Sequence, residues 1–101
     1  DLSGHFRAHH AHGGADLSKA DLSGANLSKT NMERVSLIRA NLKGANLRGA
    51  KLEDTDFEGA DIEGADFTQA KTADIKNIRR AKNREKAIGL KWGRGKDGWR
   101  I

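Results

Sequence analysis

The sequence predicts an all-β solenoid, and three observations carry that prediction. A large apolar residue recurs at every fifth position from Leu17 to Phe67, taking in Leu22, Leu27, Met32, Leu37, Leu42, Leu47, Leu52, Phe57 and Ile62. Ala, Thr or Val stands two places before each of them. No insertion disturbs the phase over the twelve units from Ala15 to Asp74, of which only the last, with Thr72 at its centre, lacks a large apolar residue there.

A helix turns by roughly 100° per residue, so a five-residue step scatters the leucines around the whole cylinder and leaves no apolar face. A continuous strand fails too, because an odd period sends successive leucines to opposite faces of the pleat. A chain that bends once per unit escapes both problems. The small residue and the large one, two apart, point inward from a short extended segment, and the remaining polar residues form the corner. Bends of one hand then wind the chain around a column of Leu, Phe and Ala.

The units read ADLSK, ADLSG, ANLSK, TNMER, VSLIR, ANLKG, ANLRG, AKLED, TDFEG, ADIEG, ADFTQ and AKTAD. In this the chain resembles the pentapeptide-repeat proteins, whose motif is A(D/N)LXX. The resemblance implies a right-handed quadrilateral β-helix with four units per coil, hence three coils at 15–34, 35–54 and 55–74. Residues twenty apart should stack at about 4.8 Å, the spacing of neighbouring strands. Leu17 would stack with Leu37 and Phe57, and Leu22 with Leu42 and Ile62.

Summed by coil, the charge alternates. Coil one is neutral and coil two carries plus two; coil three carries minus five, with Lys71 its only cation, and residues 75–101 carry plus eight. This arrangement avoids stacking like charges and allows exposed pairs such as Lys43 over Glu63. Some members of the family protect DNA gyrase by presenting a duplex-like acidic stripe along the axis. Here the acids form a ring at one level, so DNA mimicry is disfavoured.

A solenoid needs its last coil covered. Residues 75–90 are expected to supply an α-helical cap, with Asp74 as N-cap, Ile75, Ile78, Ala81 and Ile88 as a partial apolar face, a potential break near Asn83, and Gly89 at the end. Residues 91–101 form a basic tail holding both tryptophans. Trp92, Arg94, Lys96, Trp99 and Arg100 are its candidate binding residues, since indole and guanidinium groups serve protein, nucleic-acid and anionic membrane surfaces alike. The competing reading packs both indoles onto the solenoid.

Residues 1–14 lose the repeat, with Arg7 and His12 at positions that call for apolar residues. His5, His9, His10 and His12 are weak candidates for a divalent ion. Without cysteine or a carboxylate other than Asp1 close by, a flexible arm is preferred and no metal site is assigned. The start at Asp1, without methionine, points to a processed or partial chain or to an added segment.

Composition narrows function further. The 101 residues make one small domain with little interior for a catalytic cleft, and 33% of them are charged. The absence of cysteine removes disulfides and thiolate chemistry. No apolar run approaches the roughly 20 residues of a membrane span. No nucleophile and base are set together in the repeat, no histidine falls within it, and no cofactor is called for. The leading expectation is a non-enzymatic scaffold or protein-interaction module. The alternative is an anion-binding protein that uses its basic tail on nucleic acid or an acidic membrane surface. Compartment is left open.

Overall fold

The computed structural model describes residues 9–10 and 13–90, with side chains from 15 to 90. His9–His10 and Gly13–Gly14 form two short strands, antiparallel, with His9 opposite Gly14 and His10 opposite Gly13. The rest of the N-terminal arm and the whole of the 91–101 tail lie outside the described residues.

From Asp16 onward the chain pairs with itself in parallel at a spacing of twenty residues: Asp16 with Ser36 and Asp56, Asp21 with Asn41 and Asp61, Asn26 with Asn46 and Asp66, Asn31 with Lys51 and Lys71. One coil is therefore four pentapeptides, as the resemblance implied. The Leu22 N–H donates to the Asn41 carbonyl at 2.8 Å, Gly24 N–H to Lys43 at 2.8 Å, and Asn41 N–H to Ala20 at 2.9 Å. At the corner, Ala25 N–H closes a turn onto the Leu22 carbonyl at 3.0 Å. The same set recurs around the coils, so the backbone groups that adjacent coils turn toward each other are satisfied between layers.

The fifth residue of every unit has positive φ, between 58° and 71°. Such a corner resembles a type II turn, whose third residue must be left-handed. Glycine holds it at 24, 44, 49, 59 and 64; elsewhere Lys, Arg, Asp or Gln accepts the strain. Inside, Leu27, Met32, Leu37, Leu42, Leu47, Leu52, Phe57, Ile62 and Phe67 are essentially inaccessible, as are the alanines of coils two and three from Ala40 to Ala65. Phe57 and Phe67 meet across coil three at 5.7 Å between ring centroids, tilted by 60°. Leu17 and Leu22, at the N-terminal end of the column, are only partly buried.

The expected α-helix over 75–90 is absent, and a fourth coil stands there. Lys76, Lys82 and Ile88 pair with Asp56, Asp61 and Asp66, at spacings of 20, 21 and 22 residues, so the units lengthen from five residues to six. Asn77, Asn83 and Gly89 take the central position with φ of 57°, 59° and 85°. Short 3-10 turns follow the two asparagines, Ile78–Arg80 and Arg84–Lys86. A left-handed central residue cannot send its side chain inward, so the residue after it does so: Ile78 and Leu90 are buried, while Arg84 at the equivalent place stays outside.

The reason lies in coil three, whose upper edge carries N–H and C=O groups that a helix, having satisfied its own backbone, would leave unpaired. Coil four satisfies them, with Phe57 N–H donating to Lys76, Ile62 N–H to Lys82 and Phe67 N–H to Ile88. The expected burial of Ile75, Ile78 and Ala81 holds, but Ile88 is 52% exposed, and Asp74 is the corner of the last pentapeptide, not a helix cap.

Two stability predictions follow from this packing. Phe57→Ala should cost about 3–5 kcal/mol in chemical denaturation, since the ring is wholly enclosed. Gly24→Ala, into open space, should cost only about 1 kcal/mol for its left-handed backbone. Gly89→Ala should cost roughly 3 kcal/mol, because its Cβ would lie 2.6 Å from the Thr68 nitrogen and 2.9 Å from the Phe67 carbonyl carbon. Equal losses for the two glycine variants would show that coil four does not press on coil three.

Candidate interaction surface

The outer surface is organised by the second residue of each unit. Where this is Asp or Asn, its Oδ1 accepts the N–H two residues on: Asp21 from Ser23 at 3.1 Å, Asn46 from Arg48 at 3.0 Å, Asp66 from Thr68 at 3.0 Å. Nine of the twelve units are capped in this way. The carboxylates and amides of the motif are thus spent on local Asx turns, which is why either chemistry serves at that position. The exceptions are Ser36, Lys51 and Lys71, and the last two stack on one another. Inside the corners, Thr30 and Thr55 are buried with their hydroxyls donating to the Leu27 and Met32 carbonyls at 2.6 and 2.7 Å.

The acidic third coil is neutralised from both sides. From coil two, Lys43 reaches Asp61 at 3.7 Å and Arg48 reaches Asp66 at 3.1 Å. From coil four, Arg80 reaches Glu58 and Lys86 reaches Glu63, both at 3.7 Å. Lys43 is therefore paired with Asp61 and not with Glu63. The side chains of Asn77 and Asn83, left outside by their backbone, donate to Asp56 and Asp61 at 2.9 and 3.0 Å. The cation of every pair is more than half exposed, so each ion pair contributes at most about 1 kcal/mol.

Hydrogen bonds hold several carboxyls below the ordinary aspartate range. The Ser23 hydroxyl and N–H do this for Asp21, and the Thr68 hydroxyl, against some desolvation, does it for Asp66 with help from Arg48. At Asp61 burial alone would raise the value, but Asn83, the Glu63 N–H and Lys43 together outweigh it.

Among the described residues, shallow grooves lie at three of the corners. One of about 330 Å³ is lined by Arg39, Asn41, Lys43, Gly59, Asp61 and Lys82. A second, of about 390 Å³, has Arg34, Lys76, Asp54 and Asp56 around Ser36 and Ile38. A third, of about 320 Å³, lies beside Lys29, Arg48 and Gln69. Sequence reasoning missed the first, because Arg39 and Lys82 meet only through the 21-residue step into coil four. Of the residues singled out from the sequence, Trp92, Arg94, Lys96, Trp99, Arg100, His5 and His12 lie outside the described residues. His9 and His10 are placed only as backbone of the short N-terminal strand pair. Among the described residues no group of three His, Cys, Asp or Glu is gathered for a metal ion, and no helix is long and apolar enough to cross a membrane.

A twenty-residue coil, inward leucines and an Asx-capped corner in most units define a repeat class. The family model for pentapeptide repeats matches residues 15–54 and 36–71, with eight copies, so the chain belongs to the pentapeptide-repeat family, whose members form right-handed quadrilateral β-helices. Among solved structures it is similar to a pentapeptide-repeat protein from the Arabidopsis thaliana thylakoid lumen, with 31% identity over 55% of this chain and 38% of that one, at a TM-score of 0.53. It is also similar to Rfr23 of the cyanobacterium Cyanothece, at 30% identity over 72% of this chain and 52% of that one, TM-score 0.42. HetL of the cyanobacterium Nostoc, involved in heterocyst differentiation regulation, is 33% identical over 83% of this chain and 38% of its own, TM-score 0.36. The chain thus spans between 38% and 52% of the length of these three proteins. No curated protein sequence matches it.

Lys71→Asn should raise stability by about 0.5–1.5 kcal/mol, because it adds the missing Asx cap and removes the like-charge stack on Lys51. A urea midpoint that fails to rise, at unchanged slope, would contradict the role given to the second residue. The depressed carboxyls set the acid limb. Their contribution to stability is complete above the unfolded aspartate value near 3.9 and is lost as pH falls through their lower folded values. Melting temperature should therefore be flat between about pH 5 and 7 and fall below about pH 4. An Asp61→Asn, Asp66→Asn double variant, which keeps both caps, should show a shallower acid fall.

Proposed function

We propose that the chain is a non-enzymatic protein-interaction or scaffold module, a β-helix of three regular coils with residues 75–90 as its lid. The observation that supports this most directly is the use of the motif's own polar groups. Its Asp and Asn side chains cap turns, its threonines satisfy buried carbonyls, and its backbone pairs from coil to coil. What remains for a partner is a rigid surface of charged side chains over shallow grooves. Such a surface suits recognition, because the paired backbone beneath it loses little conformational entropy on binding. Among the described residues no enclosed base and nucleophile are set side by side.

A second reading has the basic tail, with Trp92, Arg94, Lys96, Trp99 and Arg100, engage nucleic acid or an anionic membrane. It is favoured by the net charge of plus five on residues 75–90, immediately before the tail. The acids of coil three form a level ring paired with cations, not an axial column, which argues against a gyrase-protecting DNA mimic.

The two readings separate on truncation. Immobilised intact chain and a form ending at Leu90 are incubated with nuclease-treated extract of the native host. The module reading expects one discrete protein to be retained by both forms at about 0.15 M salt, where exposed charges are screened beyond about 8 Å. Retention that disappears with residues 91–101, or that returns only when nucleic acid is restored, would transfer function to the tail.

A further inference from the structure

Within that interaction-module reading, on which this inference rests, we infer that the corner groove between Arg39, Lys43 and Lys82 is a docking site for an acidic peptide segment of a protein partner. The argument begins with which cations are already engaged. Lys43, Arg48, Arg80 and Lys86 each pair with a carboxylate of coil three. Arg39 and Lys82 have no ion pair among the described residues, and both line the same groove of about 330 Å³.

Its one acid, Asp61, is engaged on both oxygens: Oδ1 accepts the Glu63 N–H at 3.1 Å and Asn83 Nδ2 at 3.0 Å, and Oδ2 faces Lys43 Nζ at 3.7 Å. The groove therefore offers two uncommitted positive charges around a carboxylate that is already neutralised. Gly59 makes the room. At this corner coil three has no side chain, and the aliphatic stem of Arg39 lies where one would stand, with its Cγ 3.1 Å from the position of a Cβ.

Spacing and surroundings select the ligand. Arg39 belongs to coil two and Lys82, which stacks over Asp61 and Asn41, to coil four, so their backbones are two strand spacings apart along the axis, roughly 10 Å, with a sideways offset from Arg39 to Asn41. Two acids two or three residues apart in an extended peptide are separated by roughly 7–10 Å, which matches. Nucleic acid is a poorer fit. A phosphate backbone needs a continuous basic track, whereas this groove offers two uncommitted cations, enough for a short acidic peptide.

The test is a titration of the intact, nitrogen-15-labelled chain with hexaglutamate, read by amide shifts. In low salt the amides of Arg39, Gly59 and Lys82 should move together and saturate. Raising salt from about 20 to 200 mM should weaken binding about tenfold. The R39Q/K82Q variant should also lose about tenfold in affinity, while K51Q/K71Q, which removes two cations on another face, should stay within about twofold. Both substituted pairs are exposed, and a wild-type-like spectrum verifies each fold.

The inference is overturned if the two variants lose affinity equally, if the shifts are confined to residues 91–101, or if oligothymidylate moves the same amides at lower concentration than hexaglutamate. The extract experiment separates the two levels. Capture of the same protein by R39Q/K82Q would remove the groove and leave the module reading standing. Capture of nothing by the intact chain would remove both.

Discussion

Each coil of this protein exists because the one beneath it leaves a row of backbone donors and acceptors that must be paired. Pentapeptide segments are too short to form a stable sheet alone; every extended stretch is a few residues long and ends at a left-handed corner. What makes them persist is the twenty-residue return, which brings Asn41 above Leu22 and Asp61 above Leu42 at hydrogen-bonding distance. The inward column of Leu, Ile and Phe depends on that return, and so does the stacking of the polar second residues on the outside. The hydrophobic effect supplies the drive, and the backbone pairing sets the register.

The same constraint explains the C-terminal segment, where composition alone misleads. Residues 75–90 carry basic and amide side chains that would be tolerated in a helix, and the apolar positions Ile75, Ile78 and Ala81 have helical spacing. They nevertheless form a coil, because coil three presents an open edge and a helix has no free groups with which to close it. The six-residue unit is the compromise. An asparagine or glycine in the left-handed region turns the chain early, a 3-10 turn advances it, and Ile78 and Leu90 take over from the missing central leucine. Asn77 and Asn83, turned outward, then bond the acids below them, so the lid is joined to coil three by side chains as well as by backbone.

Charge follows the layers. An acidic coil between two cationic neighbours allows pairs to form in both directions, and their individual contributions are small because they are exposed. Their value lies in what they leave over. Once four acids of coil three have been paired, the surplus cations are distributed unevenly around the prism; Arg34 and Lys76 share a groove with Asp54 and Asp56, while Arg39 and Lys82 share one whose single acid is already engaged. Surface chemistry of this kind arises from residues distant in sequence, and it needs no departure from the repeat.

The repeat itself was legible in the residues. A period of five, with a small residue two places before a large one, excludes a helix and a flat strand on geometry alone, and it identified the stacked polar sets and an inward column from Leu17 to Phe67, of which Leu17 and Leu22 are only partly buried. The charge alternation between coils was equally visible, because it depends only on the coil length. Over 75–90 that reasoning chose a helix where the chain forms a coil, although a signal for the coil was present. Ile75-Lys76-Asn77, Ala81-Lys82-Asn83 and Ala87-Ile88-Gly89 repeat at six residues, with an apolar residue two places before an asparagine or glycine. A period of six beside a period of five reads as a lost repeat until the edge it must match is known. Ion-pair partners were beyond the sequence for a similar reason. Whether Lys43 meets Asp61 or Glu63 depends on the direction in which a side chain leaves a left-handed corner. The meeting of Arg39 with Lys82 depends on the extra residue that each unit of coil four inserts. Periodicity determined the layers; backbone pairing between coils decided how the last one closes and which charges share a corner.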